Sequence, residues 1–158
     1  DGVRVGFIGA MLQRASSFLS PESLAGLEVL DEAATINRYA RQLQSEGVRT
    51  LVAIIHQGGF QGPVDEHGTS TLAGDIMPIA ERLDGEVDVV ISGHTHTWHN
   101  ILVNNSGGRP MLVVQAWPKG TGYADIDLDI DRTTGETVLV TEANPAFAGW
   151  FRLPKSSA

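Results

Sequence analysis

At 158 residues, with 42% hydrophobic and 19% charged positions, the chain has the length of one domain and the apolar content for a real core, and nothing in it reads as a disordered or low-complexity tail. A net charge of −8, from 11 basic and 19 acidic residues, argues against a surface for a nucleic-acid duplex, which needs clustered Lys and Arg; it leaves room for a phosphate ligand, because a bound metal ion inverts the local field. The lack of cysteine excludes disulfides, Cys-based zinc sites and cysteine nucleophiles, and no apolar run approaches the ~20 residues of a membrane span.

The chain starts at Asp1 with no initiator Met and no visible signal peptide, and is expected to be cut from a longer precursor. The first predicted strand covers about residues 3–8 and leads into a polar loop, 13–23, broken by Pro21. Asp31 is the predicted N-cap of a helix in which Ala33, Ile36, Ala40 and Leu43 recur at helical spacing, and Gly47 is its predicted C′ residue. The strand 48–55 follows, so strand, helix and strand make a βαβ unit with parallel strands. Residues 57–74 are rich in Gly and polar residues and read as a long functional loop or lid. A second helix, about 75–83, starts at Asp75 and carries Ile76, Ile79, Ala80 and Leu83 on one face. The third strand, 87–91, runs into a turn with two histidines, and the fourth, 111–116, follows a turn at Gly107-Gly108. Residues 123–131 then alternate strictly between apolar residues and Asp125, Asp127, Asp129 and Asp131, which predicts a strand with one wet face. A turn at 133–136 returns it to a strand at 137–141, making an antiparallel hairpin. Residues 1–143 are thus the expected domain, and 144–158 an irregular tail punctuated by Pro and Gly.

The chemistry concentrates on three histidines. His94 and His96 directly follow an apolar strand in the run Ser92-Gly93-His94-Thr95-His96. In extended backbone, two residues at spacing two point to the same side with Cα atoms about 7 Å apart, which suits a metal ion. His56 ends another apolar strand and is followed by Gly58 and Gly59, read as room for the backbone beside it. Sites in open α/β sheets form beyond the carboxyl ends of strands, so His56, His94 and His96 are expected to converge. A histidine beside an apolar strand is more often a satisfied structural group than a ligand; the position of this pair at a strand terminus, next to a glycine, evens that balance. Neutral imidazole suits zinc, manganese, iron or nickel more than calcium or magnesium.

Other candidates have plainer readings. The alternating aspartates lack the glycine and terminal Glu of a calcium loop and belong to a solvent face. Asp65, Glu66 and His67 lie in the long loop, within reach of a substrate or merely exposed. Trp98, next to His99, walls a pocket or covers the sheet edge. There is no G-x-S-x-G elbow, Walker loop or dinucleotide fingerprint.

Five stretches resemble the calcineurin-like metallophosphoesterases, and within them the 5′-nucleotidase and 2′,3′-cyclic-nucleotide phosphodiesterase group. They are Val5-Gly6-Phe7-Ile8-Gly9, Gly26-Leu27-Glu28-Val29, Ile55-His56-Gln57-Gly58-Gly59, Asp88-Val89-Val90-Ile91-Ser92-Gly93-His94-Thr95-His96 and Ala124-Asp125-Ile126-Asp127-Leu128, and they span nearly the whole chain. The Gly-His-x-His element is fairly specific in combination with the upstream histidine and weak alone. The resemblance implies a two-metal phosphoesterase in which His56 and His94 share one ion and His96 holds its neighbour. The family's Asp-x-His, Gly-Asp-x-x-Asp and Gly-Asn-His-Asp/Glu motifs are absent, as is the C-terminal substrate domain of the nucleotidases. The chain therefore resembles the C-terminal half of a catalytic domain.

The expected fold is α/β: a partial metallophosphoesterase sandwich, with a mixed sheet, two helices and a C-terminal antiparallel hairpin. The expected parent function is metal-dependent hydrolysis of phosphate esters of the nucleotide kind, with two divalent ions in the complete domain, held in part by His56, His94 and His96. The partners expected are a nucleotide or other phosphate-ester substrate and the missing N-terminal half; the isolated chain is expected to be inactive. The family suggests a place outside the cytoplasm. A non-catalytic binding module and a mononuclear metal-binding domain are the alternatives.

Overall fold

The computed structural model describes residues 2–66, 70–140 and 144–147. In chain order the elements are β1 (Val5–Ala10), α1 (Glu32–Ser45), β2 (Thr50–Ile55), β3 (Phe60–Gln61), β4 (Leu72–Ala73), α2 (Ile76–Ala80), β5 (Val89–Ile91), β6 (His99–Asn104), β7 (Pro110–Gln115), β8 (Gly122–Asp125), β9 (Leu128–Ile130), β10 (Thr137–Val140) and β11 (Asn144–Phe147). This is a mixed α/β fold with a parallel-dominated sheet, two helices and an antiparallel hairpin. None of its described helices is long and apolar enough to cross a membrane.

The main sheet has the order β1-β2-β5-β7-β6, with four parallel strands and an antiparallel β6 at one edge. Its central strands are apolar on both faces because both faces are covered. On one face Ile8, Leu51, Ala53, Ile55 and Val90 pack with Ala33, Ile36 and Ala40 of α1 and with α2. On the other, Val52, Val89, Leu112 and Val114 meet Ala124, Ile126 and Leu128 from the β8–β9 segment. The start and stop of α1 follow its sequence signals: the Asp31 side chain accepts the Ala34 N–H at 2.8 Å, and Gly47 closes the helix with a φ of +81°.

Four departures from the sequence expectation concern the strands and the long loop. First, residues 99–104 form β6, which pairs with β7 along its full length. Their apolar run, Ile101-Leu102-Val103, is short and flanked by His and Asn, so it carries little strand signal. Second, the stretch predicted as one strand over 123–131 is two, broken at Ile126-Asp127; β8 pairs with β11 and β9 with β10. Third, the tail expected to be irregular begins with β11. Pro145 is tolerated there because the two-stranded pair offers it an edge. Fourth, the long loop is pinched by the β3–β4 pair, where Gly62 N–H donates to the Thr71 carbonyl at 2.8 Å.

A buried carboxylate ties the amino ends of the central strands. Asp88, with its side chain 1% exposed, accepts the Leu51 N–H at 2.8 Å and an Arg109 N–H at 2.9 Å, while its own carbonyl accepts from Leu112 N. Burial pushes its carboxyl above the ordinary carboxylate range, against the pull of the Leu51 N–H and of Arg109. Removing the half-exposed guanidinium leaves that charge without its partner. Arg109→Ala is expected to lower stability by about 2 kcal/mol, below the range for a fully buried pair, as read by urea unfolding at pH 7; an unchanged midpoint would contradict the role assigned to Asp88.

Candidate metal centre

β2 and β5 are adjacent and parallel, with Ile54 opposite Ile91, so their carboxyl ends open on one rim of the sheet. His56 lies two residues past Ile54, and the loop that holds His94 and His96 leaves β5 beside it. His56 N–H extends the β1 ladder by donating to the Ala10 carbonyl at 3.1 Å, and Gly93 N–H crosses to the Gln57 carbonyl at 3.1 Å.

The approach of these two loops requires Gly58, and the close approach of the next residue to β4 requires Gly59. A Cβ on Gly58 would stand 2.1 Å from the Gly93 carbonyl oxygen and 2.4 Å from Thr95 Oγ1; one on Gly59 would stand 2.2 Å from the Ala73 carbonyl oxygen. No larger residue fits without moving backbone. A Cβ on Gly93 would lie 3.7 Å from His56 Nδ1, so that ring stands over bare backbone. The result is that the His56 and His94 rings are neighbours, with centroids 5.2 Å apart and planes at 70°. Both residues, and His96, are exposed.

The expectation of extended backbone at His94 and His96 fails: their φ angles are +73° and +58°. Thr95 N–H donates to the Gly93 carbonyl at 2.9 Å, which makes a γ-turn centred on His94. Left-handed backbone at a non-glycine costs on the order of 1–3 kcal/mol and persists only where its surroundings impose it. Here the surroundings are a polar cage. The Thr95 and Thr97 hydroxyls both reach the Gly59 carbonyl, at 3.1 and 2.5 Å. Buried Gln115 donates from Nε2 to the Thr97 carbonyl at 2.5 Å. Ser92 Oγ lies 2.7 Å from His99 Nε2 and 3.0 Å from the Val114 carbonyl. His99 is fully buried, and burial pushes its pKa down to about 4, so the ring is neutral at pH 7. Ser92, Gln115 and this role of His99 were not foreseen. Their signal was a polar residue at the end of a buried apolar strand, where Ser92 follows Val89-Val90-Ile91 and Gln115 follows Leu112-Val113-Val114.

The pair fits a metal ion in chemistry and spacing. Two imidazoles whose nitrogens each lie ~2.0–2.1 Å from one tetrahedral ion have ring centres about 5 Å apart. Among the described residues, however, no group of three or more His, Cys, Asp or Glu side chains is placed to hold an ion. The structure thus brings His56 and His94 together and shows no three-residue ligand group that includes His96. The nearby cavity of about 190 Å³ at the end of β1 is lined by Glu28 and Glu32, but the Glu32 carboxylate is taken up by the Gln13 N–H at 2.7 Å. Asp125, Asp127, Asp129 and Asp131 are exposed, and Asp131 caps the turn at Thr133 and Thr134. Asp65 and Glu66 are exposed in the long loop, and His67 lies outside the described residues. Trp98 is half-buried, and Asp75 forms an exposed ion pair with Arg14 at 3.6 Å.

No protein-family model matches the chain. An endonuclease of Bacillus subtilis (strain 168) is 31% identical over 138 residues, which is 87% of this chain and 10% of the relative. A cell wall protein of Listeria monocytogenes is 32% identical over 149 residues, 90% of this chain and 18% of the relative. The chain therefore spans less than a fifth of either relative's length. Among solved structures, the NAD nucleotidase of Haemophilus influenzae shares the fold with a TM-score of 0.71 at 18% identity, over 93% of this chain and 26% of that one. Further relatives include snake venom 5′-nucleotidases and an apyrase, and further structural neighbours include 5′-nucleotidases and a calcineurin-like phosphoesterase.

Two outcomes follow from the geometry. Gly58→Ala places a methyl group inside backbone contact distance and is expected to cost about 3 kcal/mol in urea unfolding, where an ordinary glycine-to-alanine change at a free position would cost nothing. His99 titrates near 6.5 in the unfolded chain and about 4 in the folded one, so the unfolded state binds more protons between those values and stability rises with pH there. Its contribution, on the order of 3 kcal/mol, is complete above about pH 6.5 and lost as pH falls to about 4. Unfolding free energies measured from pH 4 to 7 should show this slope in the wild type and lose that component in His99→Gln; equal slopes in both proteins would refute it.

Proposed function

With 5′-nucleotidases and calcineurin-like phosphoesterases as its homologues and structural neighbours, we propose that the chain supplies part of the divalent-metal site of a phosphate-ester hydrolase whose substrate is a nucleotide. One observation carries the reading: the exposed His56 and His94 rings stand 5.2 Å apart beyond two adjacent parallel strands. In this reading His56 and His94 hold one ion and His96 a second. Such ions, when bound, polarise a phosphoryl oxygen and lower the pKa of water. The chain's own part is to present imidazole nitrogens at the rim and to fix their direction through the γ-turn and its cage.

Histidines add no negative charge to balance a divalent pair, and no described carboxylate joins them. The remaining ligands are therefore assigned to the N-terminal half of the catalytic domain, and the isolated chain is expected to hydrolyse little. A surface for that half is at hand. Among the described residues β1 lies at one edge of the main sheet, and Phe7 and Ile54, 63% and 45% exposed, stand on the sheet face that the described β8–β9 segment does not cover, beside the histidine rim. The same absence of a three-ligand group counts against a mononuclear site built on the three histidines alone. The cell wall and venom relatives support a location outside the cytoplasm.

Mixing the chain with the N-terminal portion of its parent, in Mn²⁺ or Zn²⁺, should produce hydrolysis of a nitrophenyl phosphate ester. His56→Gln and His94→Gln should each lower kcat/KM by more than the roughly 10–100-fold typical of residues that only support metal ligands. An inert mixture would favour the binding-module reading, and activity indifferent to both substitutions would remove the histidines from the site.

A further inference from the structure

Beneath the His94–His96 loop lies a bond that the proposed chemistry does not use. The loop leaves β5 at Ser92 and re-enters the sheet at His99, and these two residues bond to each other, Ser92 Oγ to His99 Nε2, at 2.7 Å. In the sheet register His99 faces Gln115, whose side chain holds Thr97. The neck of the loop is therefore closed by buried polar groups from three strand ends.

Nothing in the packing alone demands a histidine here. The position is fully buried, and its neighbours along β6 and β7 include Ile101, Val113 and Val114. An apolar side chain would fill such a place without a hydrogen-bonding debt. The imidazole instead leaves Nδ1 facing the Gly59 backbone with no bond of normal geometry, and buried polar atoms left unsatisfied destabilise the fold. The Ser92 hydroxyl has one proton and two acceptors within reach, the Val114 carbonyl and Nε2. Either the hydroxyl donates to Nε2, or Nε2–H donates to the hydroxyl; both arrangements lock the neck.

We propose that His99 is a positioning residue: through its bond to Ser92 it fixes the base of the γ-turn at His94 and so holds the His94 ring against His56. The proposal rests on the reading of those rings as metal ligands, and it extends that reading to a residue that touches neither metal nor substrate. His94 and His96 both occupy left-handed backbone, which relaxes wherever its supports are removed. The threonine hydroxyls and Gln115 support the middle of the loop, and the Ser92–His99 bond supports its two ends.

The test uses the full 158-residue chain with labelled histidines. Nuclear Overhauser contacts between the His56 and His94 rings should be present in the wild type, lost in Ser92→Ala and His99→Leu, and restored in His99→Gln, which keeps a polar tip. The amide shifts of β2, β5 and β7 should stay in place in all four proteins. Ser92→Ala leaves the buried ring intact, so it carries the test if His99→Leu does not fold. Retention of the ring contacts in Ser92→Ala, with only a lower melting temperature, would overturn the proposal and leave His99 a structural residue. A parallel Co²⁺ titration, read by its visible absorption, separates this from the metal reading. Wild-type binding that His94→Gln abolishes and Ser92→Ala weakens about 10–100-fold supports both. Ring contacts that depend on Ser92 in a protein that binds no Co²⁺ would sustain the positioning role and remove the metal.

Discussion

Every feature of the candidate centre depends on how closely two loops approach each other at the carboxyl rim of the sheet. The backbone at Gly58 lies so near the Gly93 carbonyl that a single added carbon would stand 2.1 Å from it. That contact brings the ends of β2 and β5 together. It lets Gly93 N–H reach the Gln57 carbonyl, aims two threonine hydroxyls at the Gly59 carbonyl, and sets the His56 ring beside that of His94. The glycines matter here for what they leave out, which is the side-chain bulk that would hold the two loops apart.

The two ends of the central strands are organised differently. At the amino end, a single buried carboxylate, Asp88, gathers β2, β5 and β7 through an N–H, a carbonyl and the Arg109 guanidinium. None of Leu51, Asp88, Arg109 and Leu112 has a positive φ. At the carboxyl end, the described non-glycine residues with positive φ, His94, His96 and Lys119, all lie in the loops beyond β5 and β7. Strain collected at one rim, over a core packed on both faces, is the pattern expected where a scaffold holds groups for chemistry. The neutrality of buried His99 belongs to the same arrangement, because a charged ring at the neck of the loop would repel any cation held above it.

Much of this was legible in the residues. The cap at Asp31, the stop at Gly47, the apolar faces of the helices and the β1-α1-β2 unit follow directly from spacing and turn chemistry. So did the placing of His56 and the His94–His96 pair at strand ends, and the need for small residues at 58 and 59. What was not legible depends on contacts between segments distant in sequence. β6 forms because β7 offers it an edge, in a stretch whose polar ends mask its apolar centre. The alternation over 123–131 gave the right faces and hid the break at Ile126-Asp127, since period two continues across a bend. The backbone at His94 turns left-handed because Gly93 and Thr95 close a γ-turn against Gly59, which no local propensity of His-Thr-His encodes.

Anomalous diffraction from crystals of the chain soaked in zinc addresses the central claim most directly. One ion within about 2.0–2.1 Å of a ring nitrogen of both His56 and His94 is the predicted result. Zinc bound at the exposed aspartates alone, with no density between the two rings, would contradict it.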